Sequence, residues 1–351
     1  MVSQLHVYTC FCVAQQVDSL SHQLVQGAGM VYFTHRQGIC IGIQYYNSMH
    51  GYVTLNVCIV HRENESNVVE WYIDTGDTPF HIEADLYIPG NIIFSDLQAL
   101  LTSDGINKTV LVSQYVRWPY MPYREGKGMN ATFSSITSFV QPDENTVYAA
   151  DSNHGCVREI DRDSNQTKPL VGICEKTTYD TQPSNGRLLN SRFSKITAIA
   201  YHDNVMYIIE GDHLRIRKAD LQFDRVTSIA AEEDFEQTYH NPREALVDPS
   251  RGQVYVSITY GMAQLDMKTD KFTYITHQES HGYKDGTLAD SEWYWSTGLT
   301  MLLNDTLIVA DANNDKLRVI DLLSNNVSTW CFNNTESSKP CSIRRPVPVH
   351  I

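Results

Sequence analysis

The chain has 351 residues, 42% of them apolar and 19% charged, which is globular composition and excludes a disordered or fibrous protein. Its 41 acidic and 27 basic side chains leave a formal charge of −14, which repels polyphosphate and argues against a nucleic-acid partner, while cationic proteins or Ca²⁺ remain compatible. No run of 18 apolar residues occurs, so no membrane-spanning helix is expected.

Residues 1–14 are mildly apolar (Leu5, Val7, Phe11, Val13) and form a candidate signal peptide ending near Ala14. Their lack of Lys or Arg, and the presence of Tyr8, Thr9, Cys10 and Cys12, count against that reading. Residues 15–124 form an N-terminal β region, with long alternating strands at 30–35, 39–46, 52–60 and 68–73. After these, 97–105 and 109–113 read as the first two strands of a further unit.

From residue 125 to 335 a repeat is legible. ITSFVQPDENTVYAADSNHGCVREID starts at Ile136 and ITAIAYHDNVMYIIEGDHLRIRKAD at Ile196. EALVDPSRGQVYVSITYGMAQLD starts at Glu244 and TGLTMLLNDTLIVADANNDKLRVID at Thr297. Each copy has an apolar strand, a polar turn, a second strand, and a third strand that closes on Asp161, Asp220, Asp266 or Asp321. A looser fourth strand follows a polar hairpin. Linkers 125–133, 185–193 and 285–293 recur as well, each with a Gly in a turn and an aromatic (Phe133, Phe193, Trp293) suited to plug the space between units. Four short strands recurring about every 50 residues select a propeller among all-β folds.

VYAADSNHGCVREID (147–161) and LIVADANNDKLRVID (307–321) resemble the core of the NHL-repeat β-propellers. The second and third copies depart from it: Glu210-Gly211-Asp212 replaces the Ala-Asp turn, and Ile258-Thr259-Tyr260 lacks the Asp. The expected fold is all-β, a six-bladed propeller of four-stranded NHL-like blades in which residues 15–124 supply two divergent blades. The alternative is a small N-terminal β-sandwich followed by a five-bladed or incomplete propeller. Residues 336–351 read as a C-terminal tail.

Eight cysteines suit disulfides in an oxidising compartment. Cys40 with Cys58, and Cys156 with Cys174, flank hairpins centred near Met49 and Asn165, which sets each pair face to face; Cys331 and Cys341 would pair in the tail. Sequons stand at Asn64, Asn107, Asn130, Asn165, Asn304, Asn326 and Asn333. Together these favour an extracellular or secreted chain over a cytoplasmic one. Propeller enzymes place metal ligands at the start of each innermost strand. Here those positions hold Ser135-Ile136, Lys195-Ile196, Arg243-Glu244 and Ser296-Thr297, so no cofactor is indicated, although a Ca²⁺ or Zn²⁺ enzyme remains the alternative. Asp151, Glu210 and Asp311, which recur at the second-strand ends, read as acceptors for turn amides. The resemblance implies a recognition platform for a protein or glycan. Aromatic loops carrying Trp118, Tyr120, Tyr123, Trp293 and Trp295 are its candidate anchors.

Overall fold

The computed structural model describes 38–47, 51–62 and 65–74 as strands, and most of 79–329; within that span 89–90, 97, 104–106, 114–121, 175–182, 212–214, 231–241, 277–280, 304 and 315 lie outside the described residues. Every sheet is antiparallel, and all are meanders except that the last adds its first short strand beside its final one. The first is three-stranded: β1 (Gly38–Asn47), β2 (Gly51–Arg62) and β3 (Glu65–Asp74). The second is β4 (Pro79–Ala84), β5 (Ile92–Asp96), β6 (Ala99–Ser103) and β7 (Lys108–Val112). The third is β8 (Ile136–Asp143), β9 (Thr146–Asp151), β10 (Cys156–Asp161) and β11 (Thr167–Val171). The fourth is β12 (Ile196–His202), β13 (Val205–Glu210), β14 (Arg215–Asp220) and β15 (Arg225–Ala230). The fifth is β16 (Pro242–Asp248), β17 (Gln253–Ile258), β18 (Gly261–Asp266) and β19 (Phe272–Tyr274). In the last, β20 (Gly286–Thr287) joins β21 (Ser296–Leu303), β22 (Thr306–Asp311), β23 (Lys316–Asp321) and β24 (Asn326–Thr329).

Successive sheets pack face to face, with their first strands side by side in the series β1, β4, β8, β12, β16, β21. Each apolar cluster is therefore shared by two sheets. Ile93 and Leu100 meet Phe139 and Val147; Ala150 and Val157 meet Ile199 and Ile208; Ile209 meets Val256; Tyr255 and Met262 meet Leu299 and Leu307. A strand buried on both faces reads as a near-continuous apolar run, which is why the second strands (Val147–Asp151 apart) look like VMYIIE and TLIVAD. The first strands are also stitched together by side chains. Thr137 Oγ1 donates to Ile196 O at 2.9 Å, and Thr197 Oγ1 to Pro242 O at 3.4 Å.

The closing aspartates terminate the third strands as hairpin caps. Asp161 accepts the Ser164 amide at 2.7 Å, Asp266 the Thr269 amide at 2.8 Å and Asp321 the Leu323 amide at 2.9 Å. Backbone hydrogen bonds hold all three carboxyls below the usual range. The turns use Asn or Asp in the left-handed region (Asn165, Asn204, Asp224, Asp270, Asn325), the residues that tolerate it best after glycine. Gly172 (φ 92°) is fixed by space as well, since a Cβ there would lie 2.8 Å from Gly155 O and 2.9 Å from the Phe193 ring.

Two expectations need correction. Residues 97–105 and 109–113 are not the opening strands of their unit: β6 and β7 are the third and fourth strands of the second sheet. The opening pair is β4 and β5, overlooked because PFHIEA begins with Pro and mixes His and Glu among its apolar residues. The hairpin around Asn165 is also centred earlier than expected: Ile160 pairs with Thr167 and Arg158 with Pro169, and a bulge then moves Val157 opposite Val171. Strict opposition of Cys156 and Cys174 along the ladder is therefore lost. In the N-terminal region, β1–β3 match the strands expected at 39–46, 52–60 and 68–73; the one at 30–35 lies outside the described residues.

Candidate functional site

In the third, fourth and last sheets an arginine on the middle of the third strand is sealed inside the protein: Arg158, Arg217 and Arg318 are each 0% exposed. Three groups meet each guanidinium. The carboxylate ending the preceding strand is one: Arg158 Nη1 to Asp151 Oδ2 is 3.2 Å, Arg217 Nη1 to Glu210 Oε1 2.8 Å, and Arg318 Nη1 to Asp311 Oδ2 2.8 Å. The linker supplies the second: Glu125 Oε2 (3.0 Å), Asn185 Oδ1 (2.8 Å) and Asp285 Oδ1 (3.0 Å from Arg318 Nε), with linker carbonyls beside them. The third is the plugging aromatic: Phe133 lies 3.9 Å, Phe193 5.0 Å and Trp293 4.5 Å from its arginine. Burial of a cation costs several kcal/mol unless it is paired; charge, dipole and π-face together meet the Nη groups of each arginine and Arg318 Nε as well, while Nε of Arg158 and of Arg217 is enclosed without a hydrogen-bond partner among the described residues.

The recurring carboxylates also accept turn amides. Asp151 takes the Ser134 amide at 3.0 Å, Glu210 the Ser194 amide at 2.7 Å and Asp311 the Tyr294 amide at 2.7 Å. Their titration differs for a local reason. Asp151 pays for complete burial, but His154 (Nδ1 at 2.8 Å), Arg158 and Ser134 outweigh that and hold it below the usual range. Asp311 has Asn314 where Asp151 has His154, and burial pushes its carboxyl up to about 6 against Asn314, the Tyr294 amide and Arg318. A raised acid keeps in the folded chain a proton that the unfolded chain, titrating near 3.8, has already released. The cost of ionising buried Asp311 is thus full above about pH 6 and gone below about pH 4. Between pH 7 and 4.5 this group makes the native chain more stable as pH falls. Urea midpoints across that range should show this trend in the native chain and lose it in Asp311→Asn.

The fifth sheet breaks the pattern. Its third strand has Ala263 where the others have arginine, and its second strand runs into Thr259-Tyr260 in place of an acidic turn. At the same end of the sheets, where first strands begin, other side chains gather. Arg243 lies over the Trp295 ring at 3.9 Å. Tyr294 lies 4.7 Å from exposed His281 and 6.3 Å from Tyr260. Trp295 holds φ 66°, costly for a bulky residue, and its amide donates to Thr259 O at 2.6 Å. The result is a half-exposed platform of three rings beside a guanidinium stacked on a fourth, built from β16, the β17–β18 turn and the linker to β21.

Trp295 alone of the five predicted anchors falls on this platform. Trp293 is fully buried under Arg318, its indole N–H donating to Ser291 Oγ at 2.8 Å, so it is a wedge between sheets and not a loop anchor. Tyr123 is half-buried, bonded to Glu125 and packed on Arg158 at 5.0 Å. Trp118 and Tyr120 lie outside the described residues. Arg243, Tyr260 and His281 were not singled out as binding residues from sequence, whereas Tyr294 stands in the aromatic loop Trp293-Tyr294-Trp295 that was; the one signal for the others was the missing Asp at Thr259-Tyr260.

Cys156 and Cys174 form a disulfide with Cα atoms 5.1 Å apart, reached because the chain turns at Gly172. Cys40 stands opposite Cys58 in the β1–β2 register. Cys331 and Cys341 lie outside the described residues, as do Asn64, Asn304 and Asn333. Asn107, Asn130 and Asn326 are exposed, whereas Asn165 is half-buried with Oδ1 enclosed. Among the described residues no three His, Cys, Asp or Glu side chains gather as a metal site would require, and no helix is long and apolar enough to cross a membrane.

No protein-family model matches this chain, and no curated protein does. Solved structures do. One chain of a nidogen/laminin complex superposes with a TM-score of 0.54 at 11% identity, over 84% of this chain and 93% of that one. An auxiliary nutrient-binding protein from Bacteroides ovatus gives 0.51 at 11% identity, over 86% and 85%. At such identity the likeness is one of fold. The chain is a β-propeller. The sheets from β4 onward are blades, the buried arginines fasten three linkers to their blades, and the platform sits on the blade face where first strands begin.

Proposed function

We propose that this propeller is an extracellular, N-glycosylated, NHL-type recognition module that binds a protein or glycan through the platform of Arg243, Tyr260, His281, Tyr294 and Trp295. The observation that carries the reading is the strained Trp295, held in the left-handed region beneath Arg243 exactly where the repeat abandons its acidic turn. Local rules are broken most often where function demands it. Tyr, Trp and Arg supply most interface energy, and here a rigid scaffold presents them already ordered. We read β1–β3 as part of a sixth blade, so that residues 15–124 give two divergent blades and 125–335 the NHL-like ones. The Cys156–Cys174 bond supports an oxidising compartment. A Cys40–Cys58 bond is the companion we expect from their register.

The test has two arms. Non-reducing peptide mass spectrometry of the natively sourced protein should show both bonds, with glycans on exposed Asn107, Asn130 or Asn326. Free thiols and bare asparagines would overturn the extracellular assignment. Arrayed glycans and arrayed secreted ectodomains are then probed with the native chain and with a Tyr294→Ala, Trp295→Ala double variant. Loss of the bound partner by about 100-fold is expected for two interface hot spots; unchanged binding would remove the platform from the proposal.

A further inference from the structure

A cleft of about 580 Å³ opens between the fifth and last blades, away from the platform. Gln253, Tyr255 and Gln264 form one wall; the other is Leu288 and Ala289 of the linker with Leu322 and Asn325 of the β23–β24 hairpin. The matching boundary between the third and fourth blades is filled by an aromatic pair that this one lacks. Tyr148, which holds the position of Tyr255, packs edge-on against Tyr201 of the next blade at 5.4 Å. The residue in the Tyr201 position of the last blade is Met301, and Leu189 is replaced by Ala289. Glu159, the counterpart of Gln264, is neutralised by Lys168 at 2.8 Å, while Gln264 makes no side-chain hydrogen bond among the described residues. Asp224 is consumed by the Leu188 amide at 3.0 Å; in the last blade Leu288 N bonds Asn325 O at 2.9 Å and leaves the Asn325 side-chain amide uncommitted.

The cleft therefore presents neutral polar groups that the protein does not use. Gln264 and Asn325, both in its lining, make no side-chain hydrogen bond among the described residues, whereas Gln253 Oε1 is enclosed away from it and Gln253 Nε2 donates to Asp266 at 3.2 Å. The one cation in the lining, Arg251, is tied to Asp248 at 2.9 Å and to Asp305, so no free positive charge is left to hold an anion. Buried or partly buried amides without partners are costly, and a ligand that supplies both donors and acceptors recovers that cost. β17 is paired on both sides, by β16 and β18, and β18 pairs with β17 and, at 263–265, with β19, so these central strands offer little edge to a peptide backbone. The geometry points to a neutral saccharide of one or two sugar units as the occupant. Its hydroxyls, each donor and acceptor, meet Tyr255, Gln264 and Asn325, and its C–H face rests on Leu288, Leu322 and Ala289. The volume suits it, since small-ligand sites occupy roughly 300–1,000 Å³ with a few convergent polar groups on an apolar lining.

Saturation-transfer NMR on the full chain tests this with lactose, cellobiose and N,N′-diacetylchitobiose, using 3′-sialyllactose and a capped dipeptide as controls. At least one neutral disaccharide should receive saturation. Its affinity should fall about tenfold in Gln264→Leu, the loss of one or two hydrogen bonds. Binding should vanish in Ala289→Phe, which fills the cleft from an exposed position and leaves the melting temperature of the chain intact. The Tyr294→Ala, Trp295→Ala variant should bind the sugar as the native chain does, so that failure of the platform and failure of the cleft are separable. No transfer to any neutral disaccharide at about 20 mM, a level where even millimolar ligands bind, overturns the proposal. Equal binding in Ala289→Phe, or binding of the dipeptide alone, does so too.

Discussion

Arg158→Ala is expected to destabilise the propeller by about 3–5 kcal/mol, read as a lowered urea midpoint for the third blade. The arginine is wholly buried between Phe133 and the carboxylates of Asp151 and Glu125. Removing it leaves Asp151, itself 0% exposed, without its guanidinium, and takes the Nη1 donor from the carbonyl of Thr132. Glu125 is the lesser loss, since it is partly exposed and regains water. The desolvation already borne by the pair is what makes breaking it so costly, more than any net strength of the ion pair. A double variant, Arg158→Met with Asp151→Leu, separates these terms: it should recover most of the lost stability, because an apolar pair of similar volume buries no uncompensated charge. If the double variant is as unstable as the single one, geometric anchoring of the linker, and not charge, explains the cluster.

Trp293→Ala should cost a similar amount, about 3–5 kcal/mol, because it removes the largest fully buried side chain and leaves a cavity between two blades. The ring touches both Arg318 and the apolar cluster containing Tyr255, Leu299 and Leu307. Loss of the ring exposes the guanidinium as well as emptying the space. Hydrogen exchange should localise the damage to β20–β24, whose linker the arginine holds through Asp285 and the carbonyls of Lys284 and Glu292. Trp295→Ala is the control two residues away. Half-exposed and strained, it should cost little stability while weakening partner binding. The reverse ranking would show that the two tryptophans have been assigned the wrong roles.

Much of the repeat was legible because its chemistry is local. The closing aspartates bond amides two or three residues away, so Asp161, Asp220, Asp266 and Asp321 recur at fixed offsets. The linker glycines and plugging aromatics recur for the same reason of fixed register. The buried arginines were visible only as basic letters in VREID, IRKAD and LRVID. Their burial depends on a linker some 30 residues earlier, Glu125 for Arg158 and Asp285 for Arg318. A charge on a strand reads as solvent-facing unless that distant partner is known.

Sequence by itself determined the all-β class, the order of strands in the repeats from Ile136 onward, the turn chemistry and the likeness of the units, because each rests on contacts within a few residues or on alternation along one strand. Only the tertiary structure decided where the units differ in effect. It set β6 and β7 at the outer edge of their blade, put Trp293 inside and Trp295 outside, and brought Arg243 onto a ring 52 residues away. It also opened a cleft where Met301 and Ala289 stand in place of a tyrosine and a leucine. Those outcomes depend on packing between blades, and packing joins residues that no spacing in the chain marks as neighbours.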